Sequence, residues 1–448
     1  MDKSPTLTLQ ERCRSWREYW FYVIRFASPG TQFWGALSTV VFLSAIPGAL
    51  DGLRTQSIIA ILAFLGLLVH ALIWRHELRA FSHDDDTVTH STASLPRGGS
   101  LKAIGPSDRQ SKLGYSPEDV DGESILRSDA VDEALRDRDW SLKSELRSPS
   151  RATANVRRHR AFCLKFLTKG YRSAWGRKLF VNDVKWCLRS ELDPSASDLS
   201  VQAGDYFTSY CTNEGCTAIL RSPVKQSIEE TLRARDLFPV HYASGPTPML
   251  DDLEEARVNN HVGVSTLAIT ADRCFVVLQQ GDFNIQDPRK VVPTATGSGD
   301  IDDVLLSSLR KTVHCGMERE LREEAFPNAF VSETTILGFF RWLARGGKPE
   351  FVGVSRLLSS WKDLSPDGRE VFEVRGRRGQ FLVHRFHVPT VQTIPAFTAG
   401  VRQYKAEGLR LSLPLKVLLL RLDSLALTQP SWLNDRLYQP QNPERVAP

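Results

Sequence analysis

The sequence lacks any cysteine pair at metal-ligand spacing, any strong excess of one charge and any internal repeat. Its seven cysteines (Cys13, Cys163, Cys187, Cys211, Cys216, Cys274 and Cys315) are odd in number and scattered over 448 residues. That pattern excludes the disulfide framework of a small secreted scaffold and suits reduced thiols in a cytosolic compartment. Cys211 and Cys216 stand too far apart for a CxxC pair, and no second cysteine or histidine pair completes a zinc site. A formal charge of +5 is small for this length. The balance alone therefore gives no general polyanion-binding surface, and no DNA or RNA duplex is expected as a partner. What is present is apolar: 42 % hydrophobic residues suffice for at least one sizeable core, and the length implies one or two domains plus extras.

Two apolar runs without a charge stand near the start, residues 33 to 50 (FWGALSTVVFLSAIPGAL) and 57 to 74 (SIIAILAFLGLLVHALIW). As helices each would be roughly 27 Å long, near the thickness of a bilayer's hydrocarbon core, so they read as a transmembrane hairpin, the alternatives being core helices or a signal peptide. Lys3, Arg12, Arg14, Arg17 and Arg25 precede the first run and Arg75 and Arg79 follow the second, against Arg54 in the turn. This asymmetry places both ends in the cytoplasm. Aromatic residues in SWREYWFYVIRF (15 to 26) would sit at headgroup depth.

Beyond residue 76 the composition turns polar, as in HDDDTVTHSTASLPRGGS, and reads as a tether to about 155. Within it Ser116-Pro117-Glu118-Asp119 predicts a helix start, with a helix over much of 117 to 146. RRHR (157 to 160) reads as a solvated edge or a contact for anionic lipid or phosphate. Residues 156 to 255 read as a mixed, partly helical extension in which DYFTSYCTNEGCTAIL (205 to 220) ends in an extended segment.

From Val262 to Ile269 a period-two pattern predicts a buried strand, Ala271-Asp272-Arg273 a turn, and CFVVLQQ (274 to 280) a second strand. A loop follows, KVVPTATGSGDIDD, and then a helix in which Leu305, Leu309, Val313, Met317 and Leu321 recur every four residues. Asp302 and Asp303 suit its N-terminus. The helix ends in RELREEAF (319 to 326), whose Glu320, Glu323 and Glu324 share one face, where like charges a turn apart repel. An exposed helix face in which Arg319 pairs with Glu323 is one explanation of the cluster, and a bound metal another.

Here the sequence resembles the Nudix family, whose signature helix ends in R-E-U-x-E-E, U being a bulky apolar residue. Arg319, Glu320, Leu321, Glu323 and Glu324 match that half. The resemblance implies that Glu320, Glu323 and Glu324 bind Mg²⁺ bridging a diphosphate, that they would be the catalytic residues of a hydrolase, and that the arginine braces the helix. The other half of the signature departs: Leu305 and Lys311 stand where the family places Gly and Glu, and Phe326 where it places Gly. These departures favour binding over turnover.

Two membrane helices, a tether, the loop PTATGSGDIDD and the stretch ILGFFRWLARGGKPEFVGVSRL (336 to 357) together resemble the SMODS-associated Nudix proteins. That resemblance implies a bacterial antiphage effector whose Nudix fold senses a cyclic di- or trinucleotide and whose helices assemble as a homo-oligomer in the lipid bilayer of the inner membrane. The ligand contacts would be Gly297, Ser298 and Gly299 through backbone N–H groups, Arg341, Arg345 and Lys348 through charge, and Phe351 by stacking on a base. The structural alternatives are a hinge for the glycines, solvation for the basic residues and core packing for Phe351. A membrane-tethered Mg²⁺-dependent hydrolase of a nucleoside diphosphate derivative is the competing function.

EVFEVRGRRGQFLVHRFHV (370 to 388) predicts two strands about Arg375, Arg377 and Arg378, and LPLKVLLLRLDSLAL (413 to 427) a closing helix. The expected fold class is α/β, an α+β Nudix-like mixed sheet with flanking helices, preceded by the transmembrane hairpin and a flexible linker. The expected divisions are 1–30 cytoplasmic, 31–76 hairpin, 77–155 linker, 156–255 helical extension, 256–428 sensor and 429–448 tail.

Overall fold

The computed structural model of the chain describes residues 39–44, 46, 54–80, 87–90, 100–144, 184–221, 238–242, 246–280, 290–364, 371–373, 379–385, 394, 398 and 409–438. The chain divides into two compact units, one built from residues 1–91, 152–182 and 210–237, the other from 92–151, 183–209 and 238–448.

In the first unit, helix α1 (Arg54–Ala80) carries the second apolar run. Strand β1 (Thr87–His90) pairs antiparallel with β7 (Ala218–Arg221), the extended segment expected after Cys216. Among the described residues no helix is long and apolar enough to cross a membrane. This corrects the expected transmembrane hairpin, and with it the inner-membrane placement. Of the first run, the described helical residues are 39–44 and 46, and of the second the described side chains cover 57–69 and 71–72. The aromatic stretch 15–26, the RRHR segment and the arginines at 375, 377 and 378 lie outside the described residues.

The second unit is built on an eleven-stranded sheet. Its middle is β10 (Gly263–Ile269), joined antiparallel to β11 (Cys274–Gln280) and parallel to β15 (Lys348–Leu357), which itself pairs antiparallel with β14 (Val331–Trp342). On one side the sheet continues from β11 to β17 (Gly379–Arg385) and β16 (Val371–Glu373), the two strands expected there. β12 (Lys290–Pro293) pairs with β11 and with the short β18 (Arg410–Leu411), and β13 (Ala295–Ser298) pairs with β10. Every residue of β10 is buried, because both faces of the sheet are covered. On one face Leu267, Ile269, Val352, Val354 and Phe340 pack with Leu415, Leu418 and Leu422 of helix α5 (Leu413–Thr428) and with Leu433 and Leu437 of helix α6 (Pro430–Tyr438). On the other, Ala268, Val276, Ala295 and Leu357 pack with Leu321, Phe326 and Trp361. Each such aliphatic side chain contributes about 1.5–3 kcal/mol when fully buried. Residues 430–438, expected in a tail, thus close the core.

The stretch expected to be a tether also folds. Ser107 and Gln110 form a capping box on helix α2 (Asp108–Lys112). Strands β2 (Ser116–Val120) and β3 (Glu123–Arg127) then form a hairpin whose outer neighbour is β14. Helix α3 (Asp129–Asp137) is capped by Ser128. The expected helix at Ser116 is a strand because the hairpin is decided by Asp121-Gly122, both at positive φ (52° and 84°), the two-residue turn that matches strand twist. Ile125 and Leu126 are then fully buried.

A three-stranded sheet is formed by β4 (Ser141–Ser144), β6 (Asp198–Asp205) and β5 (Val184–Leu188), the last two within the expected mixed extension, where β6 runs into the short helix Tyr206–Ser209. Backbone bridges Lys185 to Asp300 and Cys187 to His261 join β5 to the rim of the main sheet. A small hairpin of β8 (Val240–Tyr242) and β9 (Pro248–Leu250) completes the unit.

Candidate functional site

The acidic helix is α4 (Leu309–Glu324), and it starts later than the leucine spacing suggests: Ser308 caps it by accepting from the Lys311 N–H at 2.9 Å. Leu305 lies outside it and is 41 % exposed, whereas Leu309, Val313, Met317 and Leu321 are fully buried. Asp303, in the 3₁₀ turn Ile301–Asp303, does not cap α4. It takes the guanidinium of Arg319 at 3.0 Å from Nε.

Arg319 is the cation that the acidic face requires. Its Nη1 meets Glu320 at 3.0 Å, Glu323 at 3.2 Å and Asp300 at 3.3 Å, and its Nη2 donates to the Ser298 carbonyl at 2.8 Å. Burial works against the charge, but the hydrogen bond to Asp303 and the charges of Glu320, Asp303 and Asp300 hold its pKa above the ordinary value. Glu320 is itself buried, and that burial raises its carboxyl pKa against the pull of Arg319. Its carboxylate lies over Gly297, where any Cβ would collide with it, and Gly263 clears the same kind of space for Glu350. Glu324 accepts from the Thr296 N–H at 3.0 Å, fastening α4 to β13.

A second bank of charge faces the same rim. Gly263, at the start of β10, is opposite Ser298 at the end of β13 and Glu350 near the start of β15. Lys348 pairs with Glu350, and Lys185 with Asp300. His261, bonded through Nδ1 to Ser209, is buried, and its pKa is driven well below the ordinary value by desolvation and then by Lys348, Lys185 and Arg345. Three cations therefore converge on one neutral imidazole. Arg345 also stacks on the Trp342 ring at 3.8 Å. Trp186 Nε1 and Glu350 Oε2 are buried without a hydrogen-bond partner among the described residues.

Of the residues expected to touch ligand, the structure gathers Gly297, Ser298 and Gly299 beside α4, with Lys348 and Arg345 on the other bank. Gly299 is held by the backbone, its N–H on Val262 and its carbonyl receiving the Trp186 N–H. Two are elsewhere. Arg341 has no exposed surface and meets Glu191 at 2.6 Å, while Phe351 is fully buried with its ring 4.8 Å from that of Phe339. Both are core positions. Glu323 projects outward, with 53 % of its side chain exposed.

The oxygen donors on α4 suit Mg²⁺ in kind, but they do not fit it in arrangement. Glu320 is engaged by Arg319 and Glu324 by a backbone N–H, and among the described residues no group of three or more His, Cys, Asp or Glu is placed to hold a metal. Lys185, Trp186, His261 and Glu350 are the residues that sequence reasoning missed. Lys185 and Trp186 lie more than a hundred positions from α4, and no local pattern joins them to it.

No protein-family model matches the chain, and no curated protein does. Among solved structures it is similar to the "Crystal structure of Tm1382, a putative Nudix hydrolase", at 11 % identity and a TM-score of 0.24, over 37 % of this chain and 72 % of that one.

Proposed function

We propose that the second unit is a Nudix-like module that binds a phosphorylated nucleotide without turning it over, taking the phosphate at the rim where β10, β13 and β15 meet. The supporting observation is the convergence of Lys185, Lys348 and Arg345 around neutral His261, beside the unpartnered indole N–H of Trp186. Fixed cations and a dry N–H donor suit an oxyanion.

The ligand class is a cyclic di- or trinucleotide. What supports this choice is the sequence resemblance to SMODS-associated Nudix proteins, which also supplies the antiphage signalling role. Binding without hydrolysis follows from α4: Arg319 and Thr296 engage its carboxylates, and exposed Lys311 stands where family members place an acid.

Calorimetric titration of the full chain with cyclic di- and trinucleotides and their linear counterparts tests the reading. At least one cyclic member should bind. The double variant Lys348→Met/Glu350→Gln, which removes both charges of a buried pair and leaves neither orphaned, should weaken that binding by roughly tenfold or more. Unchanged affinity in the variant would remove the site, and no binding by any member would remove the function.

A further inference from the structure

Glu318 and Glu320 are two residues apart on α4, about 200° around the helix axis, so the flank bearing Glu318 faces away from the glycine rim. That flank borders a cleft of about 340 Å³ lined by Arg136, Arg310, His314, Glu333, Trp432 and Arg436 among others. This volume suits a small molecule rather than a polymer.

The charges in the cleft are unevenly matched. Arg436 takes Glu333, and Glu318 is engaged by Thr334 at 3.0 Å and Arg322 at 3.2 Å. Arg310 instead donates through Nη2 to the carbonyls of Leu135 at 3.3 Å, Arg136 at 3.2 Å and Arg138 at 2.5 Å. Arg136 donates to the Asp132 carbonyl at 3.2 Å and lies over the Trp432 ring at 5.5 Å. The acceptors of these two guanidiniums are backbone carbonyls, which carry no counter-charge. Burial, reinforced by nearby Arg421, pulls the Arg136 pKa down, and the charges of Asp132, Glu133 and Asp137 offset this in part without bonding to the guanidinium. His314 adds a polar atom in want of a partner: its Nε2 is buried with none among the described residues.

We propose that this cleft is a second ligand site, taking the phosphate group of a small phosphorylated molecule between Arg136, Arg310 and the Nε2–H of His314. Donors from three side chains match the several oxygens of a tetrahedral oxyanion better than the two of a carboxylate. With both guanidiniums anchored by the carbonyls, the donors are positioned before the ligand arrives. The site is independent of the glycine rim and of the function proposed for it.

The test is calorimetric titration of the full chain with inorganic pyrophosphate, and with malonate as a carboxylate of similar charge. Pyrophosphate should bind and malonate should bind at least tenfold more weakly. Arg136→Met should reduce the pyrophosphate affinity by roughly tenfold, and His314→Phe, which removes the Nε2 donor while keeping a planar ring, should also reduce it. Should Arg136→Met not fold, His314→Phe carries the same comparison. Undiminished affinity in the folded variants would overturn the proposal, as would equal binding of malonate or no binding of pyrophosphate at millimolar concentration.

Discussion

At the scale of single residues, the acidic face of α4 works because one arginine answers several carboxylates. Replacing Arg319 by Met should leave Glu320 buried without its cation and cost about 3 kcal/mol of stability, read as a lower denaturation midpoint. Arg319→Lys should recover only part, since an ammonium lacks the planar fork that reaches Asp303, Glu320 and Ser298 together. His314 gives a pH signature. Burial, and then Arg310, pull its pKa from 6.5 to about 4, so folding disfavours its protonated form. The stability it contributes is complete above pH 6.5 and is lost as pH falls toward 4, an amount on the order of 3 kcal/mol. His314→Phe should flatten that part of the stability profile between pH 7 and 4, and an unchanged profile would count against the burial argument. That Glu320 and Glu324 share a side of α4 was legible in the sequence, because the helical period fixes it, whereas the meeting of that side with Gly297 and Thr296 is seen only in the fold. The fates of Arg341 and Phe351 were not legible: the partner of Arg341 is Glu191, 150 positions away, and no periodicity records it.

At the scale of elements, the order strand, turn, strand, loop, acidic helix was readable from residues 262 to 324, since alternation and four-residue spacing are local signals. The segment from 100 to 144 was misread for an equally physical reason. Its polar average hides Asp121-Gly122, which closes the β2–β3 hairpin, and the pairing energy comes from β14, more than two hundred residues on. The ion pair between Glu191 and Arg341 ties these distant pieces together, and Glu191 also receives Gln110 at 3.1 Å and the Leu253 N–H at 3.1 Å. Glu191→Ala should destabilise the fold by about 3–5 kcal/mol, because it strands a buried guanidinium. Glu191→Leu with Arg341→Met should cost much less, because neither charge is then left alone. Equal losses in the single and double variants would contradict that account. The membrane hairpin is the largest departure from the sequence reading. Apolar composition over a window was its main support, and among the described residues no helix is long and apolar enough to cross a membrane.

At the scale of the whole molecule, two compact units share one chain, and the second carries both the glycine rim and the cleft on the other flank of α4. The central claim is that the rim receives a nucleotide and leaves it intact, the α4 carboxylates being engaged by Arg319 and by the Thr296 N–H. The chemical fate of the bound nucleotide tests this most directly: mass spectrometry of a cyclic dinucleotide or trinucleotide incubated with the full chain and Mg²⁺, then recovered from the protein. The account expects unaltered cyclic nucleotide in the protein-bound fraction, equally with Glu323→Gln. Metal-dependent appearance of a cleaved product, abolished by Glu323→Gln, would contradict it and make the chain a hydrolase.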